Sequence, residues 1–231
     1  LGIAERKERE KELRRNAIVD AAERVFFQKG IDESTMDDVA AEAELSKGTL
    51  YLYFKSKIEL LAAIHVRGME VLSSQMRPVL AMRGSGIEML RRLAQVFVRY
   101  SVESPQYFNF GYYVDKLQST DELSGGPWHA ECQRMNDELL RFTIAAIEKG
   151  ISDGSITARF QPTQLALLLW AGVRGIVNVY HIKKKHHFSE VLSTVNLPLD
   201  QHIQTFFDLL SHGLAGEQLT EPLAKTHKTA S

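Results

Sequence analysis

Cysteine is nearly absent. The 231-residue chain has one, Cys132, which excludes an internal disulfide framework and fits a reducing compartment. No catalytic neighbourhood surrounds it in the sequence, so it reads as a small packed side chain. The short signatures of nucleotide and zinc chemistry are missing too, with no P-loop, GxGxxG, HExxH or CxxC. Carboxylates are plentiful, but no pair is placed in a cleft by its spacing, and Asp115 and Glu131 read as surface acids. No metal site and no cofactor are expected. Net charge is −1, which argues against a general nucleic-acid coat. Uninterrupted apolar runs are short: the longest, Leu165 to Val173, is about half of the roughly 20 residues a membrane span needs. Charge begins at Glu5, unlike a secretory leader. The expectation is a cytoplasmic protein without a membrane partner.

What is present is helical periodicity. Leu13, Ala17, Ile18, Ala21, Ala22, Val25 and Phe26 form one stripe over about Glu5 to Lys29, and Gly30 ends it as a C-cap would. Ser34 or Thr35 then caps a second helix whose inward face is Met36, Val39, Ala40 and Ala43. Leu45 and Ser46 turn into a short third helix, and Ser56 caps a fourth near Lys57. The third helix is unusual. Its Leu50 and Phe54 can anchor a small core, while Ser46, Lys47, Thr49, Tyr51 and Tyr53 offer a cationic, hydroxyl-rich face suited to phosphates and base edges. A small helical bundle and a helix-turn-helix share these proportions. Residues 1 to 60 hold 11 Lys and Arg against 13 Asp and Glu, so the binding signal rests on geometry rather than on net charge.

The ordered set AAERVF, a following glycine, ST, VAAEA, SKGTLYLYF and KSKIELL, within Ile18 to Ile64, resembles the DNA-binding domain of the tetracycline-repressor (TetR) family. The resemblance implies an all-α fold, with an N-terminal three-helix helix-turn-helix domain at 1–62, a helical effector-binding and dimerisation domain at 63–216, and a polar tail at 217–231. It implies that Lys47 and Thr49 lie near bases or adjacent phosphates. Tyr51, Tyr53 and Lys57 would bind phosphates, Thr35 would donate from the start of helix two, and Ser46 would open the reading helix. Tyr51 as a packed ring and Tyr53 as a wedge between helices are the competing readings. Glu44 stands where the family usually has glycine, so the turn is expected to be left-handed with a side chain present. Asp37, an acid facing the phosphate side, is left out of the contacts.

Beyond Leu61 the helical pattern continues to about Met82, with Pro78 bending or ending it. Arg83 to Gly86 is a break, followed by a helix from Ile87 to about Glu103. PQYFNFGYYVDKL, Pro105 to Leu117, has too many aromatics for one face; it is either a core helix or the wall of an effector pocket. Candidate pocket residues are Phe97, Tyr100, Phe108, Tyr112, Tyr113, Trp128, Phe142 and Trp170. After a loop at Gln118 to Pro127 comes a helix from Trp128 to Lys149, then a connection, Gly150 to Ile156. The helix from about Thr163 is apolar on nearly all sides and needs burial on two fronts. With a last helix at about Leu199 to Leu214 it supplies a candidate four-helix dimer face of Leu168, Val173, Ile176, Ile203, Phe206, Phe207 and Leu210. KKKHHF, Lys183 to Phe188, reads as a solvated loop rather than a metal site.

The predicted function is a ligand-responsive transcriptional regulator, a repressor that binds a palindromic operator in double-stranded DNA as a homodimer. A small, largely apolar or aromatic effector releases it. The competing reading is an all-helical enzyme or ligand-binding protein that has kept the fold without operator binding.

Overall fold

Side-chain caps supplied by the sequence set the starts of the second, third and fourth helices. In the computed structural model, which describes residues 2–119, 127–185, 190, 194 and 198–214, helix α1 spans Ile3–Lys29, α2 Met36–Glu42, α3 Lys47–Tyr53 and α4 Lys57–Met76. Thr35, Ser46 and Ser56 are the N-caps of α2, α3 and α4, each accepting a hydrogen bond from the amide three residues on. Of the two candidates before α2, Thr35 takes the cap and Ser34 is buried, donating to the Gly30 carbonyl at 2.6 Å. Glu44 adopts φ 55°, the left-handed turn expected between α2 and α3.

A 3-10 turn at Arg77–Ala81, holding Pro78, ends the α4 segment. The remaining helices are α5 Gly86–Glu103, α6 Pro105–Ser119, α7 Pro127–Asp153, α8 Pro162–Lys185 and α9 Leu199–Leu214. The described residues contain helices and turns but no strand, so the fold is all-α. The loop expected at 118–127 falls largely outside the described residues, as do most of KKKHHF and the whole 217–231 tail.

The chain packs as two units, Leu1–Pro78 with Val96–Phe142, and Val79–Gln95 with Thr143–Ser231. In the first, Ile18, Ala22, Phe26, Val39, Leu50, Phe54, Leu60 and Ile64 form one buried cluster with Phe110, Val114, Cys132 and Met135. Cys132 is fully buried there, as a packed side chain. The stripe on α1 is shorter than predicted. Leu13, 62% exposed, and Ala17 face solvent, because burial on this helix begins only at Ile18. Gly68 lets α6 approach α4, since a Cβ there would sit 2.9 Å from both the Tyr100 hydroxyl and the Tyr107 Cβ.

In the second unit α7 outlasts the predicted end at Lys149 and runs through Gly150 to Asp153. The glycine that reads as punctuation is a packing site, where a Cβ would lie 2.5 Å from Ile156. The true stop is Gly154 at φ 77°, followed by the Ile156 amide donating back to the Gly150 carbonyl at 2.9 Å. Asp153 and Ser155 accept from the Gly86 and Ile87 amides, at 2.9 and 3.3 Å, and so satisfy the start of α5. Hydrogen bonds from the Ser155 side chain and from the Ser155 and Gly86 amides hold the Asp153 carboxyl below its usual range.

Helix α8 buries Leu165, Ala166, Leu169, Val173 and Val177 and packs against α9, where Leu199, Ile203 and Phe207 are buried; Tyr180 meets His202 edge-on at 6.4 Å, and a Cβ at Gly172 would lie 2.6 Å from the Phe206 ring. Although its uninterrupted apolar run is short, the 21-residue stretch Pro162–Ile182 is, by length and composition alone, long and apolar enough to cross a membrane. A run count misses this because Arg174 and Asn178 interrupt the run without breaking the helix.

Candidate functional site

Helix α3 has seven residues, too few to be stable alone, so its orientation comes from Leu50 and Phe54, both fully buried. The face opposite them carries Lys47, Gly48, Tyr51 and Leu52, all exposed, while Thr49 and Tyr53 are half-buried. The Ser46 hydroxyl accepts from the Thr49 amide at 3.1 Å and shares a 2.8 Å hydrogen bond with the Thr49 hydroxyl. Tyr51 is 42% exposed, so it is not a fully packed ring; Tyr53 rests against the core cluster, as a wedge would.

The cations are less free than their sequence positions suggest. Lys47 forms an ion pair with Asp37, both side chains largely exposed, so the acid set aside in the sequence reading is the partner of the base expected at the phosphates. Lys57 donates to the Ser34 carbonyl at 2.6 Å and weakly to that of Asp32 at 3.5 Å. These carbonyls offset the unfavourable placement of a cation at a helix start. Lys55 donates to the Tyr51 carbonyl at 2.8 Å, at the C-terminal end of α3, where a cation suits the helix dipole.

Thr35 and Asp38 form a reciprocal capping box on α2, with the Thr35 amide and hydroxyl donating to Asp38 at 2.9 and 2.8 Å. The Lys29 ammonium, together with these Thr35 donors, holds the Asp38 carboxyl at about 2, below its ordinary 3.8. Gly48, Leu52 and Lys55, exposed on or just beyond the same helix, are not among the residues that the sequence singles out as candidates. A glycine inside a helix and a leucine beside two buried apolar positions were the available signals.

Several expected effector residues come together. Phe108 meets Phe97 and Tyr112 edge-on at 5.8 and 5.3 Å, and Tyr100 is buried with burial raising its phenol. Others are engaged elsewhere. Tyr113 donates to Asp32 at 3.3 Å, and Phe142 lies beneath the Arg77 guanidinium at 5.8 Å. Trp128 stacks on Phe54 at 5.7 Å and under Arg15 at 5.5 Å, beside a cleft of about 330 Å³ lined with Glu12, Arg15, Arg67, Glu70 and Glu131. Trp170 belongs to the second unit, where it is exposed under Arg174 at 4.9 Å.

A polar junction that no local pattern announces joins α6 to α1 and α4. The Tyr107 hydroxyl donates to Glu23 at 2.9 Å, and Arg67 pairs with Glu23 at 3.1 Å and with Asp20 at 2.7 Å. Burial, then the bond to Glu23, pushes the Tyr107 phenol up to about 12. Burial opposes the Arg67 charge, but the bond to Asp20 and the charges of Glu23 and Asp20 more than offset it and raise the group.

On the outer face of α8 and α9, Leu168 is exposed along with Leu167, Trp170, Val179 and Leu209. Ile176, Phe206 and Leu210 are half-buried, whereas Val173, Ile203 and Phe207 are buried inside the unit.

Residues 18–64 match the family model for bacterial regulatory proteins of the tetR family. Over 128 residues the chain is 30% identical to the uncharacterised HTH-type transcriptional regulator TtgW of Pseudomonas putida, covering 55% of this chain and 90% of that one. It is 25% identical to the HTH-type transcriptional repressor BepR of Brucella suis over 190 residues, covering 78% and 89%. The crystal structure of the transcriptional regulator FadR from Bacillus subtilis in complex with stearoyl-CoA superposes with a TM-score of 0.60 at 18% identity, covering 86% and 98%, a likeness of fold.

Proposed function

Because this chain belongs to the TetR family of transcriptional regulators, which bind DNA and are not enzymes, we propose that it represses transcription by binding a palindromic operator as a homodimer and is released by a small, largely apolar or aromatic effector. The observation that carries the DNA reading is α3. It is held by Leu50 and Phe54 so that Lys47, Gly48, Tyr51 and Leu52 are left uncovered on one face of a helix set by the turn at Glu44. A recognition helix entering the major groove needs that separation of faces.

In this reading residues 1–62 are the reading head, 63–216 bind effector and partner, and 217–231 are a tail. Lys47 exchanges Asp37 for a phosphate, Thr49 and Ser46 lie near bases at the helix start, and Tyr51 and Tyr53 donate to phosphates. Thr35 contributes from α2, and Lys57 reaches the backbone from the carbonyls it now holds. The repressor assignment is supported by the named role of BepR. Phe97, Tyr100, Phe108 and Tyr112 support an apolar effector, with Tyr113, Trp128, Phe142 and Trp170 as further candidates. The Tyr107–Glu23–Arg67 junction gives such an effector a route from α6 to α1, and coupling follows if it binds one arrangement of that junction better than the other.

The dimer is proposed on the outer α8–α9 face. Leu168 meets the second copy, Ile176, Phe206 and Leu210 contribute from the margin, and Val173, Ile203 and Phe207 stiffen the face from beneath. The test is a salt titration of binding to the DNA upstream of the protein's own gene. Each phosphate neutralised contributes about −0.9 to the slope of log affinity on log salt, so a steep negative slope supports the reading. No binding at low salt overturns it.

A further inference from the structure

Two positions on the outer face of α3 have no role inside the protein. Gly48 sits within the helix without a positive φ, and a Cβ there would meet nothing closer than the Ser46 hydroxyl oxygen at 3.9 Å. Neither backbone conformation nor packing asks for glycine, and alanine would suit the helix better by about 0.8–1.0 kcal/mol. Leu52, four residues on and therefore on the same face, is 75% exposed while Leu50 and Phe54 on the opposite side are fully buried. A lone exposed leucine is ordinary on a protein surface. Here it lies on the element that enters the groove, one turn from an unexplained glycine, with Tyr51 and Lys47 beside the pair supplying the polar contacts.

We propose that Leu52 and the notch at Gly48 form an apolar step that reads thymine 5-methyl groups, making Leu52 a specificity-determining residue for the operator. The inference rests on the DNA-binding reading above. The thymine methyl is the one apolar group that the standard bases present in the major groove. Leu52 receives it by burying methyl against methyl, and Gly48 keeps the backbone low enough for a neighbouring base edge to approach. At Cβ level, positions one turn apart lie about 5–6 Å from each other, against a rise of about 3.4 Å per base step. The step therefore spans adjacent or next-adjacent bases. Sugar and phosphate offer no comparable partner for an isobutyl group.

The full-length protein is used to enrich duplexes from a random pool. Each thymine of the enriched half-site is then replaced by uracil, which removes the methyl and leaves the hydrogen-bonding edge intact. At one or two positions the wild type is expected to lose about fourfold in affinity, the value of one buried methyl or methylene. Leu52→Ala, whose fold is checked by circular dichroism, is expected to bind the thymine duplex more weakly and to be indifferent to uracil at those same positions. Uracil tolerance throughout the half-site by the wild type overturns the proposal. So does a Leu52→Ala protein that remains as thymine-sensitive as the wild type, which would assign the methyl contact to another side chain. If no duplex is enriched at all, the DNA-binding reading fails at the first step and takes this inference with it, before any base is replaced.

Discussion

Helices α3 and α8 both present side chains that their own units leave uncovered, and the two faces differ in kind. On α3 the outer face mixes a lysine, a tyrosine, a glycine and a leucine on seven residues, with Leu50 and Phe54 as its anchors. On α8 a continuous buried stripe from Leu165 to Val177 is backed by exposed Leu167, Leu168, Trp170 and Val179. A short helix whose outer face can hydrogen-bond suits a wet, charged groove. A long helix with apolar side chains on its outer face suits another apolar surface. Exposure alone therefore identifies neither partner; the chemistry of the exposed face does.

The comparison breaks first on the inner side of α3. Leu50→Ala is expected to destabilise the first unit by about 2–5 kcal/mol, while Leu52→Ala two residues away changes stability by less than about 0.5 kcal/mol. Chemical denaturation of the two variants checks this, and equal losses would show that α3 has no distinct inner face. Next, Leu168→Glu places a charge on the apolar face of α8. Self-association measured by analytical ultracentrifugation is expected to weaken roughly 30-fold or more, and an unchanged dimer would move the interface elsewhere.

The charge on α3 is probed by paired variants. Lys47→Ala is expected to reduce the salt slope of DNA binding by about 0.9. Asp37→Asn, which frees Lys47 from an exposed ion pair, is expected to tighten binding by up to about fivefold at low salt. A tightening that persists unscreened in high salt would contradict the electrostatic account.

The smallest effect is a pH dependence at the α2 cap. Because the Asp38 carboxyl is held at about 2 in the folded protein against an ordinary 3.8, the folded state favours its charged form. Its contribution is present above about pH 4 and is lost as pH falls toward 2. The melting-temperature difference between wild type and Asp38→Asn should therefore be constant near neutrality and shrink through that window. A difference that is flat across the window would detach the cap from the Lys29 and Thr35 bonds.

Much of this was legible in the sequence wherever the cause was local. The caps at Thr35, Ser46 and Ser56 each act on an amide three residues away, and the left-handed turn at Glu44 follows from one backbone position. The buried anchors Leu50 and Phe54 were legible from spacing alone. The aromatic segment Pro105 to Leu117 was not resolved by spacing, because its residues divide between tasks. Phe110 packs on Phe26 and Phe27, Tyr107 bonds Glu23, and Phe108 turns toward Phe97.

The amino-acid sequence by itself determined where the helices of the reading head start, which of their faces turn inward, and which family the head resembles. Those properties depend on contacts within a turn or two of the chain. Only the tertiary structure decided that Lys47 is paired with Asp37, that Lys57 holds the Ser34 carbonyl, and that Tyr107 meets Glu23 across 84 positions. It also decided that Val173, Ile203 and Phe207 are buried within their unit while Leu168 is left exposed. Periodicity tells which residues share a face, but the element that covers that face is brought there by chain folding over distances on which the pattern is silent.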